Sequence, residues 1–191
     1  MPAAAPPRGV VRIVGGAWKR SKLAVADRPG LRPTPARVRE TLFNWLGPDI
    51  SGWRCLDAFA GTGALGFEAA SRGAAEVLLL ERDRALCDLL IRSRERLAAQ
   101  RLRVEHADAF EWMARCAAAR FDLVFLDPPF DAQVFDAALA SARRIVAPGG
   151  FVYLEADAGV DPASVAALGL TVHRQGRAGA VAFHLLRCAD G

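Results

Sequence analysis

The run Asp57-Ala58-Phe59-Ala60-Gly61-Thr62-Gly63-Ala64-Leu65-Gly66 constrains this chain more than any other segment. It follows the short apolar stretch Trp53–Phe59 and opens a helical pattern, Ala64–Arg72, that Gly73 stops. Gly61, Gly63 and Gly66 fit G-x-G-x-x-G, and Glu81 stands 20 residues beyond Gly61 at a strand end. A turn of this kind sits at the carboxyl edge of a parallel sheet. There glycines let a ligand approach the backbone, and a carboxylate can grip ribose hydroxyls. By itself the pattern fits a dinucleotide, an adenosyl compound or a tight strand-to-helix turn with no ligand.

The rest of the chain from residue 53 alternates in the same manner. Glu76–Glu81 and Phe121–Asp127 are continuous apolar strands, buried on both faces. Arg101–His106 is a third strand, Asp83–Ala99 and Asp131–Val146 are helices, and Pro148-Gly149-Gly150 turns into a strand at Phe151–Glu155. The alternation implies βαβ units, hence a Rossmann-like, doubly wound and mostly parallel sheet with helices on both faces. Leu168–Arg174 and Ala180–Arg187 read as a closing antiparallel hairpin joined through Gln175–Gly179. Ahead of this domain, Val10–Val14 is a candidate strand and Ala36–Leu46 a helix with Val38, Leu42 and Trp45 on one face. The organisation expected is a disordered tail over 1–8, a basic extension over 9–50 and the sheet domain over 51–191.

Charge separates these parts. Residues 1–54 carry ten Lys/Arg against three Asp/Glu, a net of +7, while residues 55–191 carry 15 against 18, a net of −3. A basic arm on a slightly acidic body suits a polyanion, because phosphate neutralisation dominates nucleic-acid affinity. Arginine is abundant throughout, 23 against two lysines, so basic surface also arises without a binding role. The four cysteines (Cys55, Cys87, Cys116, Cys188) and three histidines (His106, His173, His184) lack metal-ligand spacing. They are expected as buried thiols and satisfied imidazoles, with no metal and no disulfide. No apolar run is long enough to span a bilayer, and Met1–Pro7 lacks a secretory core, so a cytoplasmic location is expected.

Asp57 decides what the glycine loop takes. A carboxylate at its mouth would repel the pyrophosphate that a helix N-terminus attracts, and would favour a cation such as the ammonium and sulfonium of S-adenosylmethionine. Orienting the loop by hydrogen bonding is a compatible role. Asp108, after the third strand, either meets the adenine or caps the next helix.

The fourth strand ends in Asp127-Pro128-Pro129-Phe130. Two prolines remove two backbone donors and fix the chain direction. What remains is a carboxylate and the Pro128 carbonyl, both acceptors, beside an aromatic ring. That set suits an exocyclic amino group, whose lone pair is delocalised into the base. Accepting both N–H groups frees the lone pair for attack on a sulfonium methyl, so positioning and electrostatics carry the catalysis. Phe130 would stack on the splayed-out base. No Pro-Cys follows the fourth strand, which argues against a covalent cysteine adduct.

Together the glycine loop and Phe121–Phe130 resemble the RsmD family of bacterial 16S ribosomal RNA guanine-N2 methyltransferases. Arg12–Leu23 and Arg32–Leu46 are similar to that family's two leading motifs, so the resemblance runs from about Arg12 to Arg187. Ala36 departs from a frequently acidic position, and Arg92–Arg96 lacks a customary asparagine. The resemblance implies a class I S-adenosylmethionine-dependent methyltransferase fold with a seven-stranded sheet, working as a monomer on the small ribosomal subunit or a late assembly intermediate. It assigns Asp57, Phe59, Ala60, Gly61, Thr62, Gly63, Glu81, Arg82, Asp108 and Ala109 to the methyl donor, and Asp127, Pro128, Pro129 and Phe130 to the target guanine. Arg12, Trp18, Lys19, Arg20, Lys22, Arg32 and Arg37 would grip RNA, with Trp18 either stacking on a base or covering the extension's small core. The competing readings are a DNA adenine-N6 or protein glutamine methyltransferase, a nicotinamide-dependent oxidoreductase and a non-catalytic RNA-binding assembly factor.

Overall fold

The computed structural model describes residues 9–28, 31–128 and 132–190. The expected tail over 1–8, and the Pro129 and Phe130 assignments, lie outside those residues. In chain order the elements are β1 (Gly9–Arg12), β2 (Lys22–Val25), α1 (Ala36–Leu46), β3 (Arg54–Asp57), α2 (Ala64–Ser71), β4 (Glu76–Glu81), α3 (Arg84–Arg96), β5 (Leu102–His106), α4 (Ala109–Arg115), β6 (Phe121–Leu126), α5 (Ala132–Ile145), β7 (Val146–Ala156), α6 (Pro162–Ala167), β8 (Leu170–Ala178) and β9 (Val181–Cys188).

Seven strands form one sheet in the order β5-β4-β3-β6-β7-β9-β8. Strands β3 to β7 are parallel, and β9 enters antiparallel between β7 and β8. The chain leaves β3 toward one edge and returns at β6 to build the other, so the switch point lies between β3 and β6. Side-chain alternation divides the core in two. Cys55, Leu79, Phe125, Tyr153 and Phe183 share a cluster with α1, α2 and the β1–β2 hairpin. Leu56, Leu78, Leu80, Val124, Leu126 and Leu154 pack against α4, α5 and α6 on the opposite face.

The N-terminal segment packs into the first of these clusters through Val11, Ile13, Leu23, Val38, Leu42 and Phe43. Its seam with α2 is polar and tight. Glu68 accepts the amides of Val14 and Gly15 at 2.9 and 2.7 Å, and Ser71 Oγ donates to the Gly15 carbonyl at 2.6 Å. A Cβ on Gly16 would lie 1.9 Å from the Ser71 carbonyl oxygen, and Gly16 adopts φ +73°. Only glycine lets the hairpin approach that closely.

Several element readings need correction. The first strand ends at Arg12, not Val14, because the chain turns there to pair with β2, which sequence reasoning did not include. Gln175–Gly179 is not a connection: β8 runs on to Ala178, and Ala178 pairs with Val181 across a two-residue turn. Gly176 had suggested a turn, but it stands opposite Phe183, whose ring is 2.5 Å from where its Cβ would be. The glycine therefore makes room for an aromatic side chain. β7 likewise begins at Val146, ahead of the Pro-Gly-Gly turn, with a register shift against β6. Helix α6 was unforeseen; Asp161 caps it by accepting from Ala163 and Ser164 amides.

Candidate active site

At the carboxyl edge, the glycine loop is held by backbone bonds to both neighbouring strands. Ala58 N donates to Phe125 O at 3.1 Å and Ala60 N to Leu80 O at 3.0 Å. Gly61 and Gly63 take positive φ of 52° and 75°, and Gly63 caps α2. Gly66 lies one turn into the helix, where a Cβ would meet Leu79 Cδ1 at 2.7 Å. The third glycine thus allows helix and strand to close on each other.

Two carboxylates brace this loop. Glu81 accepts from Gly61 N at 2.9 Å through Oε2 and from Asp83 N at 2.8 Å through Oε1. Asp57 is buried and accepts from Gly66 N at 3.0 Å. Burial pushes the Asp57 carboxyl up to about 7, with Glu81 and Glu155 adding to the rise and the Gly66 amide opposing it. Asp57 therefore orients the loop in the free protein, with its charge only partly developed near neutral pH. The remaining assigned residues surround the same edge. Phe59 is half-buried and meets Phe110 edge-on at 5.7 Å between centroids, an apolar wall beyond β3. Asp108 is exposed and caps α4 by accepting from Phe110 N at 2.9 Å and Glu111 N at 3.0 Å. Ala60, Thr62 and Ala109 are buried, and Arg82 is exposed.

Asp127 follows β6 directly, and Pro128 after it is buried. No described residue hydrogen-bonds the Asp127 carboxyl, whose pKa stands well above the usual carboxylate range through burial, then Glu155, then Asp57. The sheet explains the grouping. Phe125 and Tyr153 point into the first cluster, so two residues on, Asp127 and Glu155 point the same way; Asp57 follows Cys55 in the same manner. Three carboxylates thus project from adjacent strands β3, β6 and β7 onto the face that α1 and α2 cover.

Sequence reasoning missed Glu155, Thr34 and Phe110. Thr34 Oγ1 donates to Glu155 Oε1 at 2.6 Å, and Tyr153 Oη to the same oxygen at 3.0 Å. An acidic residue ending the apolar run Val152-Tyr153-Leu154 was the available signal for Glu155.

The proposed RNA contacts divide by exposure. Arg12, Lys19, Arg20, Lys22, Arg32 and Arg37 are exposed. Trp18 is half-buried against the first cluster, with its amide donating to Ser71 Oγ at 2.9 Å. Arg39, counted with the basic arm, is a structural residue. It is 1% exposed and pairs with Glu68 at 3.0 Å, while donating to the carbonyls of Arg12 and Thr34. All four cysteines are free and buried. Among the described residues, no group of three His, Cys, Asp or Glu is placed to hold a metal ion, and no helix is long and apolar enough to cross a membrane.

The strand order and the carboxyl-edge loop define the fold of the S-adenosylmethionine-dependent methyltransferases. Trm1 from Pyrococcus horikoshii, solved with S-adenosyl-L-methionine, shares it at a TM-score of 0.71 with 16% identity, over 96% of this chain and 62% of that one. The particular family follows from closer likenesses. The family model described as conserved hypothetical protein 95 matches residues 11–187, and the chain belongs to that family, the RsmD family. The ribosomal RNA small subunit methyltransferase D of Escherichia coli K12 is 42% identical over 93% of this chain and 89% of its own length. The solved structure of yhhF from Escherichia coli superposes with a TM-score of 0.83 at 37% identity, covering 96% of this chain and all of that one.

Proposed function

We propose that the chain transfers a methyl group from S-adenosylmethionine to the exocyclic N2 of one guanine in 16S ribosomal RNA, in the small ribosomal subunit or a late assembly intermediate. The observation that carries the reading is Asp127: a carboxyl beside the glycine loop, next to Pro128, with no hydrogen bond from any described residue. The name of the Escherichia coli relative, 42% identical, supports the ribosomal substrate.

The residues at the edge fit the donor. Amides of the Asp57–Gly63 loop and the carboxylates of Glu81 and Asp108 offer partners for its polar groups, with Arg82 and Ala109 at the rim and the Phe59–Phe110 wall beside the adenine. When bound, the donor supplies an electrophilic methyl on a cationic sulfur, and Asp57 orients, from beneath, the loop that would receive it.

On the acceptor side, Asp127 and the Pro128 carbonyl accept the two N–H bonds of the guanine amine, and Pro129 and Phe130 hold the base plane. These bonds draw N2 toward tetrahedral geometry and release its lone pair. As the N–C bond forms and the C–S bond breaks, the electron pair stays on sulfur, and Asp127 takes the proton that N2 loses. A carboxyl with a raised pKa suits that step, because it holds the proton more readily than an exposed carboxylate. Arg12, Lys19, Arg20, Lys22, Arg32 and Arg37 lie exposed on the segment that leads into the site and would track the RNA backbone. Residues 9–50 thus serve as the RNA-binding part and 51–191 as the transfer domain.

Labelled S-adenosylmethionine offered with unmodified small subunits, naked 16S RNA, duplex DNA and bulk protein tests the reading. The expected product is N2-methylguanosine in the digest of subunit RNA. Label confined to DNA or protein, or binding of adenosylhomocysteine with no transfer to any acceptor, contradicts it.

A further inference from the structure

Glu155 has no part in the chemistry just described, yet it is built into the site with more care than Asp127. It lies on β7, next to β6, and shares a sheet face with Asp127 and Asp57; neighbouring strands stand about 4.8 Å apart. Thr34 and Tyr153 both donate to Oε1, at 2.6 and 3.0 Å. Oε2 carries no hydrogen bond from any described residue. Glu155 as a whole keeps 4% exposure. A buried carboxylate whose one oxygen is held by two donors and whose charge acts on Asp127 is an acceptor of fixed direction.

Guanine presents N1–H next to its N2 amine, both donors on one edge. Adenine presents a lone pair at the ring nitrogen beside its amine. An acceptor adjacent to the one that takes the amine therefore favours guanine and repels adenine. We propose that Glu155 is the residue that selects guanine, its Oε2 accepting N1–H while Asp127 accepts from N2, and that Thr34 positions it. This rests on the guanine-N2 reading above. Thr34 is itself tied into the N-terminal segment: its carbonyl accepts from Arg39 Nε at 3.1 Å, and Arg39 also holds the Arg12 carbonyl and Glu68. The selecting carboxylate is thus oriented from the part of the chain that carries the exposed cations.

The test compares two bases at the target position, located first with the wild-type chain. Subunits are reconstituted from ligated 16S RNA carrying either guanine or 2-aminopurine there. The analogue keeps the 2-amino group but has a lone pair in place of N1–H. Wild type is expected to lose about 10- to 150-fold in kcat/KM on 2-aminopurine, the range for a hydrogen bond to a charged group. Glu155→Gln keeps the clamped Oε1 and puts an amide NH2 where Oε2 stood, turning an acceptor into a donor. It should lower activity on guanine by a similar factor and bring the guanine preference to within about fivefold of unity, with adenosylhomocysteine affinity unchanged. Should that variant not fold, Thr34→Val is expected to narrow the same ratio and Thr34→Ser to restore it. A Gln or Val variant that slows both bases equally, leaving the ratio intact, overturns the proposal. A wild-type chain that binds adenosylhomocysteine but places no methyl on guanine N2 overturns the guanine reading itself, and the selection with it.

Discussion

Asp57 is the residue whose environment and apparent role differ most. Read along the sequence, it stands at the mouth of a ligand loop; in the fold it lies sealed under α2, accepting from Gly66 N at 3.0 Å. Burial lifts its carboxyl from an ordinary 3.8 to about 7, so the ionised form is the disfavoured one in the folded chain. Between those values the folded state binds more protons than the unfolded state, and stability falls as pH rises through the window. A shift of about three units corresponds to roughly 4 kcal/mol over the full range. Asp57→Asn keeps an oxygen for the Gly66 amide. Its urea midpoint is expected to vary less between pH 4.5 and 7.5 than that of wild type; an equal slope would contradict the assignment. Arg39 entered the charge count of the basic arm without a role of its own, and the fold makes it structural. Its partner Glu68 is 29 residues away on another helix, a distance no local pattern spans. Arg39→Met should cost about 3 kcal/mol in urea unfolding, because it leaves a buried carboxylate short of one cation. A loss below about 1 kcal/mol would show that Arg72 and the two loop amides suffice.

At the scale of elements, the apolar strands were legible because a parallel sheet buries both of their faces. Glu76–Glu81 carries that signal without interruption and forms β4 with the expected bounds. Helix α1 was legible from a Pro-led start and a one-sided apolar stripe. Strand β1 was legible except for its end, and β2 was not: each has four residues, and what fixes them is the pairing of Val10 with Ala24 and Val11 with Leu23. The fit of this hairpin against α2 is also a tertiary fact, concentrated at Gly16. Gly16→Ala would drive a Cβ toward the Ser71 carbonyl oxygen, 1.9 Å away, in a left-handed backbone. The expected cost exceeds about 2 kcal/mol. Gly52 has a comparable φ of +85° with nothing within 4 Å, so Gly52→Ala isolates the backbone strain at about 1 kcal/mol. Equal losses at the two positions would mean that the close approach contributes nothing.

For the molecule as a whole, motif order conveyed the sheet domain and the placing of the glycine loop and Asp127 after neighbouring strands, while the sharing of one core between extension and domain emerged only in three dimensions. That sharing gives the exposed cations a fixed relation to the carboxyl edge, through Glu68 on the helix that the glycine loop opens. Arg20→Ala with Lys22→Ala should lower the steepness of RNA affinity against log salt by about two, with donor affinity unchanged. An unaltered slope would remove these two from the RNA surface. The central claim is that the edge of β3 and β6 divides its work, the loop holding the donor and Asp127 the amine. Asp127→Ala tests it most directly, by adenosylhomocysteine calorimetry beside single-turnover methyl transfer to small subunits. Donor affinity within about threefold of wild type, with transfer reduced on the order of 1,000-fold, is the predicted result. Undiminished transfer by the variant, or loss of donor binding together with transfer, would contradict that division.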